Sequence, residues 1–196
     1  TRRAIKTSTY IMAPLTMGLA FCATPIVRLI LTEKWLPCVP YLQIFCITYM
    51  FWPIHTANLN AINAMGRSDY FLKLEIAKKA IGMVLLLSTM HFGVMVMAYS
   101  LLVSTVTSMI INSWPNKTLL GYSFKEQMVD IFPGIFLALI MGVAISLIRL
   151  LMLPDIVTLA IQILVGAAIY IGLSAIFKVE SFEYLWNMVK SVLNKK

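Results

Sequence analysis

A stripe of polar side chains runs along one face of the second long apolar segment of this chain. At about 100° per residue, the spacing of an α-helix, one face carries Tyr49, Thr56, Asn60, Asn63 and Arg67. Two further polar residues flank that face, His55 and Asn58. Because amide side chains are costly in contact with lipid, the stripe is expected to face protein or water. The chemistry available to these amides and hydroxyls is hydrogen bonding to a polar ligand.

Two interpretations of this stripe are open. It forms the wall of a substrate cavity that opens to the cytoplasm near Arg67, or it makes hydrogen bonds between packed helices. Pro53 lies in the same segment and predicts a kink, and a kinked helix with polar groups is a pattern that transporters use. A second stripe, in the fourth apolar segment, is better explained by close helix packing; it consists of Ser100, Ser104, Thr107 and Ser108.

The other reactive side chains form no catalytic arrangement. His55 is the only titratable group well inside an apolar segment, and it lacks a carboxylate partner; a hydrogen bond to a neighbouring helix therefore explains it better than proton coupling. The eight Asp and Glu residues all lie outside the middle of these segments. The three Cys and two His residues lack metal-ligand spacing. We therefore expect no catalytic residue, no metal, no cofactor and no enzymatic activity.

Composition determines the class of the protein. Of the 196 residues, 60% are hydrophobic and 12% are charged, whereas about 25% of residues are charged in soluble domains. The mean hydropathy is +0.87. A soluble domain of this size lacks the polar surface to cover so many apolar side chains. The sequence therefore predicts an all-α, polytopic membrane protein.

Six apolar segments approach the ~20 residues that a helix needs to cross a bilayer. They are predicted at about 8–31, 37–64, 74–90, 93–111, 131–153 and 156–177, which makes residues 1–177 a transmembrane region. Residues 178–196 are predicted to form a cytoplasmic amphipathic tail. Its apolar face includes Trp186 and its lysines trail at the end, a pattern typical of a helix that lies in the membrane interface.

The basic residues predict how these spans are oriented. Thirteen of the 16 Lys and Arg residues lie at the N-terminus, after the second span, after the fourth span or in the tail. The other three lie on the opposite side: Arg28, Lys34 and Arg149. Such an asymmetry places both termini in the cytoplasm. Because the basic residues lie between apolar segments rather than on one soluble face, membrane lipid is an expected partner and nucleic acid is not.

Three parts of the chain resemble a known family. They are PIVRL with EKWLP (residues 25–29 and 33–37), HTANLNAINAMGRSD (55–69) and GYSFKEQ (121–127). In these stretches the chain resembles the bacterial polysaccharide exporter and O-antigen (lipopolysaccharide) flippase family of the multidrug/oligosaccharidyl-lipid/polysaccharide exporter superfamily. The Asn-rich helix end followed by Gly-Arg is the most specific of them, and the resemblance covers nearly the whole chain.

This resemblance implies a larger protein and a transport function. Family members have two helical lobes and twelve to fourteen spans, so the six spans correspond to the last six of fourteen and the N-terminal lobe is missing. The implied activity is movement of undecaprenyl-diphosphate-linked oligosaccharide repeat units across the bacterial inner membrane, by alternating access. The implied partners are that lipid-linked oligosaccharide, the missing lobe and the polysaccharide polymerase machinery. Cationic residues that meet the diphosphate are expected in the missing part or at Arg67.

Two other functions are open. One is a multidrug or cation antiporter of the same superfamily, which would usually carry a buried carboxylate for proton or sodium coupling. The six predicted spans lack such a carboxylate, which disfavours that function. The other is a non-transporting membrane subunit.

Overall fold

The computed structural model describes residues 1–193, and every regular element within them is helical. The predicted all-α class is confirmed for this part of the chain; residues 194–196 of the predicted tail lie outside it. The α-helices are α1 (Arg2–Phe21), α2 (Ala23–Leu31), α3 (Val39–Met50), α4 (Trp52–Ala64), α5 (Ser68–Thr89), α6 (Val94–Leu120), α7 (Phe124–Leu147), α8 (Asp155–Ile176) and α9 (Glu180–Leu193). Short 3₁₀ helices occupy Glu33–Cys38, Met90–Phe92 and Ile148–Leu151.

The first predicted span is bent. A proline lacks the backbone N–H, and its ring clashes with the carbonyl four residues earlier. For Pro25 that carbonyl belongs to Phe21, where α1 ends. The axes of α1 and α2 differ by 65°. The amide of Gln43 in α3 donates to the carbonyl of Ala20 beside the bend, at 3.1 Å, and such side-chain donors make a broken helix tolerable in a membrane.

The second predicted span is divided in the same way. The kink expected at Pro53 occurs as a break at Phe51, between the end of α3 and the start of α4. The two halves have 12 and 13 residues. Each is too short to cross a bilayer alone, which takes about 20 residues.

Fewer spans are evident than the six predicted. Three helices, α6, α7 with its 3₁₀ extension, and α8, are long and apolar enough to cross a membrane, and the bent pair α1–α2 makes a fourth if it counts as one span. The third predicted span, 74–90, is part of α5, which begins at Ser68. The first twelve residues of α5 include five charged residues, Asp69, Lys73, Glu75, Lys78 and Lys79. The count of six therefore stays a prediction.

A cluster of ion pairs joins three helices at one end of the bundle. Arg2 of α1 binds Asp130 of α7 through two nitrogens, at 2.6 and 2.9 Å. Lys6 lies 3.3 Å from the same carboxylate and 2.6 Å from Glu180 of α9. The hydroxyl of Tyr122 donates to Asp130 at 2.8 Å. The N-terminus, the α6–α7 turn and the start of α9 therefore share one end, as the distribution of basic residues predicts.

Another ion pair lies at the opposite end. Arg28 of α2 is 3.2 Å from Asp155, the first residue of α8, and 3.5 Å from Glu33. The chain from Arg2 to Arg28 therefore passes from one end of the bundle to the other. Which end faces the cytoplasm stays a prediction.

The apolar core lies between these two ends. Tyr10 of α1 and Tyr170 of α8 pack with ring centroids 5.1 Å apart. The Tyr10 hydroxyl donates to Ser174 at 2.7 Å, and the Tyr170 hydroxyl donates to the Tyr10 carbonyl at 2.8 Å. Phe182 and Leu185 of α9 pack against this core, whereas Trp186 is 51% exposed. Part of the apolar face that was predicted to enter the interface is therefore covered by the bundle.

Cysteine labelling tests the predicted orientation. In a variant without the three native cysteines, single cysteines at Ser68 and Lys117, which are both exposed, are expected to react with an impermeant maleimide only after the membrane is opened. A cysteine at Thr32, near the opposite end, is expected to react from outside. Asn116 is fully buried and is therefore unsuitable as a label site. Labelling of residues 68 or 117 in intact cells would contradict the positive-inside orientation.

Candidate functional site

A cavity of about 590 Å³ lies between α4, α5 and α6, with the end of α3 at one side. This volume is in the range of sites for small molecules. Its wall includes Tyr49, Thr56, Asn60 and Asn63, which are four of the five residues of the predicted polar stripe. His55, predicted to flank the stripe, also lines it. The helical spacing that brings them to one face in the sequence thus brings them to one cavity.

The fifth predicted residue, Arg67, lies apart from the lining of this cavity. It is held between α4 and α5 by Asp69, at 3.1 and 3.2 Å. Its guanidinium group also lies over the ring of Tyr70, 4.4 Å from the centroid. The hydrogen bond from Arg67 lowers the pKa of the Asp69 carboxyl below its usual value. This local pair fixes the turn into α5, and a role for Arg67 at the mouth of the cavity stays a prediction.

The cavity also contains charged groups, and the distribution of basic residues assigns two of them, Lys78 and Lys79, to the cytoplasmic side. Glu75, Lys78 and Lys79 of α5 all line it. Lys78 forms an ion pair with Glu75, and only 13% of its side chain is exposed. At 1.5 Å per residue, Lys78 is about 15 Å along the helix from Ser68. Lys78 and Lys79 therefore place two cations beside the polar stripe, in addition to Arg67, which the sequence singled out.

A signal for these residues was present in the sequence. Glu75, Lys78 and Lys79 are three and four residues apart, which places them on one helical face. Phe71 and Gly82 lie on the same face of the helix. The predicted start of the span at residue 74 obscured this, because α5 begins six residues earlier.

Serines of α6 both line the cavity and pack against α5. Ser104 and Ser108 are part of the cavity wall. A methyl group added at Gly82 of α5 would lie 3.7 Å from the Ser104 hydroxyl, so the two helices approach closely there. Thr89 of α5 donates to Ser100 of α6 at 3.3 Å. Close packing, the interpretation favoured from the sequence, thus applies to the α5–α6 contact.

His55 contacts the neighbouring helix α6. Its Nδ1 lies 3.2 Å from the amide nitrogen of Asn112, which is fully buried. With the Asn112 amide as donor, Nδ1 accepts and the ring proton is on Nε2. This is the interhelical hydrogen bond expected for a histidine without a carboxylate partner.

Asn58 faces away from the cavity into a buried hydrogen-bond network between α4, α6 and α7. Its amide nitrogen donates to Ser113 at 3.2 Å and to Gln127 at 2.8 Å. Its amide oxygen accepts from Asn116 at 2.7 Å. All four side chains are fully buried. Asn58 therefore joins helices, while Asn60 and Asn63, two and five residues further along α4, are left to the cavity.

The arrangement suits reversible binding. The stripe offers amide and hydroxyl groups for a polar ligand, and the α5 side offers two ammonium groups and one carboxylate. Within residues 1–193, no group of three His, Cys, Asp or Glu side chains is placed to hold a metal ion. The cavity is open on the side that α3, α4, α5 and α6 leave uncovered. It therefore forms part of a binding surface rather than an enclosed pocket.

Comparisons with known proteins agree with this description at a coarse level. Residues 1–40 match the model of a family described as polysaccharide biosynthesis protein. This match contains the first of the three stretches on which the family resemblance rests. No solved structure matches the chain.

A relative described as an uncharacterized membrane protein of Methanocaldococcus jannaschii is 24% identical over 170 residues. The match covers 85% of this chain and 32% of the relative. The chain therefore spans about a third of the length of the curated relative it matches. Its apolar helices and this relative support a membrane protein, and over residues 1–40 the chain is similar to a polysaccharide biosynthesis family.

Proposed function

We propose that this chain is part of a flippase that moves undecaprenyl-diphosphate-linked oligosaccharide repeat units across the bacterial inner membrane. The proposal is supported above all by one observation: the amides of Asn60 and Asn63 share a cavity with the ammonium groups of Lys78 and Lys79. A lipid-linked glycan carries hydroxyls next to a diphosphate. Amides suit the hydroxyls, and ammonium groups suit the phosphates.

The Lys78–Glu75 ion pair gives the cavity a resting state. Without an anionic ligand, the Glu75 carboxylate partly neutralises Lys78, which would otherwise be a poorly solvated charge. A diphosphate that enters would replace Glu75 as the partner of Lys78. The Lys78 ammonium group is thus held in the cavity at a small free-energy cost. The reverse exchange, in which Glu75 replaces the diphosphate, would allow the substrate to leave.

The position of the cavity also suits a lipid-linked substrate. The cavity is open on one side, so the polyprenyl chain can stay in the bilayer while the head group binds. The missing N-terminal lobe would supply the facing wall, and alternating access would be a rocking of the two lobes. Transport requires no covalent step, so we propose that the protein is not an enzyme. The lipid-linked oligosaccharide, membrane lipid and polysaccharide polymerase machinery are its proposed partners.

Deletion of the full-length gene in its host tests this function. We expect diphosphate-linked repeat units to accumulate on the cytoplasmic side and surface polysaccharide to be lost, with both restored by the full-length gene. Lipid extraction with glycan analysis and surface staining would measure the two effects. Unchanged lipid-linked glycans with new sensitivity to cationic drugs would instead identify an antiporter. A loss of polysaccharide without accumulation of its lipid-linked precursor would indicate a subunit that does not transport.

A further inference from the structure

A second cavity, of about 490 Å³, lies at the end of the bundle that holds the Arg2–Asp130 ion pair. It is bounded by α1, residues 129–137 of α7 and the junction of α8 and α9. Much of its lining is aromatic and aliphatic. Phe132 and Phe136 of α7 stack with centroids 5.7 Å apart, and they are 62% and 48% exposed. Phe177, at the end of α8, is 64% exposed.

The rim of this cavity is charged. Lys6, Asp130, Lys178 and Glu180 all line it. Asp130 is balanced by Arg2 at 2.6 Å, and Lys6 by Glu180 at 2.6 Å. Within the described residues, Lys178 has no carboxylate within ion-pair distance. The Glu180 side chain is 74% exposed and is contacted by Lys6 through Oε2, which leaves Oε1 facing solvent.

The backbone at Lys178 is unusual as well. Its φ is 48°, in the left-handed region that non-glycine residues seldom adopt. The turn is fixed by backbone hydrogen bonds on both sides: the Lys178 N–H donates to Ala175 at 3.3 Å and the Val179 N–H donates to Ser174 at 3.1 Å. The turn therefore places an unpaired ammonium group at the mouth of an apolar cavity, at the level where α8 leaves the apolar region.

We propose that this cavity binds one glycerophospholipid with a primary-amine headgroup, phosphatidylethanolamine. The phosphate binds Lys178, the ammonium group binds the free oxygen of Glu180, and an acyl chain lies against Phe132 and Phe136. This inference does not depend on the transported substrate.

Charge complementarity selects this headgroup. A zwitterion supplies one anion for Lys178 and a second cation for Glu180, whose other oxygen is bound by Lys6. An anionic phosphatidylglycerol would satisfy Lys178 but offers Glu180 only neutral hydroxyl donors, which bind a carboxylate less strongly than an ammonium group does. A choline headgroup has the same charges but no N–H to donate to the carboxylate. The hydrogen bond from Lys6 also lowers the pKa of the Glu180 carboxyl, which keeps it anionic at neutral pH.

Native mass spectrometry of the full-length protein tests this proposal. The protein is extracted from nanodiscs that contain equal parts of phosphatidylethanolamine, phosphatidylglycerol and phosphatidylcholine. We expect one retained lipid per chain, with phosphatidylethanolamine enriched over the other two. Lys178→Asn removes the charge while asparagine tolerates the left-handed backbone, and it is expected to reduce retention about fivefold, as for a partly exposed charge contact.

Two variants make the result specific. Lys117→Asn is the same substitution at an exposed lysine at the same end of the bundle but outside the cavity, and it is expected to keep wild-type retention. Lys178→Arg conserves the charge and is also expected to keep wild-type retention. Equal retention of the three lipids, no retained lipid in the wild type, or unchanged retention in Lys178→Asn would each overturn the proposal. Reduced lipid retention in all three variants would also overturn the proposal, because the effect would then not depend on the charge at residue 178.

Discussion

Replacing Asn60 and Asn63 by leucine is expected to abolish polysaccharide export while the protein still inserts and accumulates normally. Both side chains lie on the cavity wall and are exposed. Within the described residues, neither makes a side-chain hydrogen bond, so folding loses little when they are replaced. A bound glycan would lose two to four hydrogen bonds at about 1 kcal/mol each, which corresponds to roughly 30- to 900-fold weaker binding.

This experiment needs a strain without the chromosomal gene, complemented with full-length variants. Surface polysaccharide and the pool of lipid-linked repeat units are measured together with the amount of protein in the membrane. A control variant carries Ser88→Leu and Asn187→Leu, two exposed polar residues outside the cavity, and is expected to export normally. Normal export by the Asn60/Asn63 variant at normal abundance would mean that the stripe serves packing and that the proposed cavity is wrong.

The second large effect is expected at Asn58. Its replacement by leucine removes the donor to Ser113 and Gln127 and the acceptor of Asn116 in a site that excludes water. Unsatisfied buried polar groups cost about 1–3 kcal/mol each, although single hydrogen bonds between membrane helices average only ~0.6 kcal/mol. We expect a destabilisation of about 2–4 kcal/mol, because three contacts are lost at one centre.

The matched comparison is Asn60→Leu, the same substitution two residues away on the same helix. The free energy of unfolding in mixed micelles is expected to change by less than about 0.5 kcal/mol for Asn60→Leu and by several times that for Asn58→Leu. Export per folded molecule is expected to fall more in Asn60→Leu than in Asn58→Leu. Equal destabilisation by the two substitutions would contradict the division of α4 into a packed face and a cavity face.

This division shows what the sequence could predict. Helical spacing alone groups Tyr49, Thr56, Asn60 and Asn63, and the cavity contains all four. The same spacing leaves Asn58 at the edge of the stripe, where it could belong to either face. Its role depends on Ser113 and Gln127, 55 and 69 residues away along the chain, and no local pattern indicates that contact.

The charges of α5 show a different limit of prediction from sequence. Basic residues near a helix start are usually cytoplasmic, and this rule places Lys78 and Lys79 on the cytoplasmic side. The rule assumes that a charge next to an apolar segment lies outside it. Here the ion pair with Glu75 and the polar face of α4 form an environment that lets Lys78 stay within the bundle. The number of spans is similarly hard to predict from hydropathy, because Pro25 and Pro53 divide segments whose apolar character is continuous.

The charged first half of α5 also bears on how the protein is made. A single Lys or Asp at the centre of a helix costs about 2.5–3.5 kcal/mol when the translocon passes that helix into lipid, and α5 carries five charged residues before Ala80. Alone, α5 would be a poor substrate for insertion. Only the 3₁₀ turn Met90–Phe92 and Gly93 separate it from the strongly apolar α6. We therefore expect α5 to enter the bilayer as a hairpin with α6, so that the cavity wall exists only once the later helix has been synthesised.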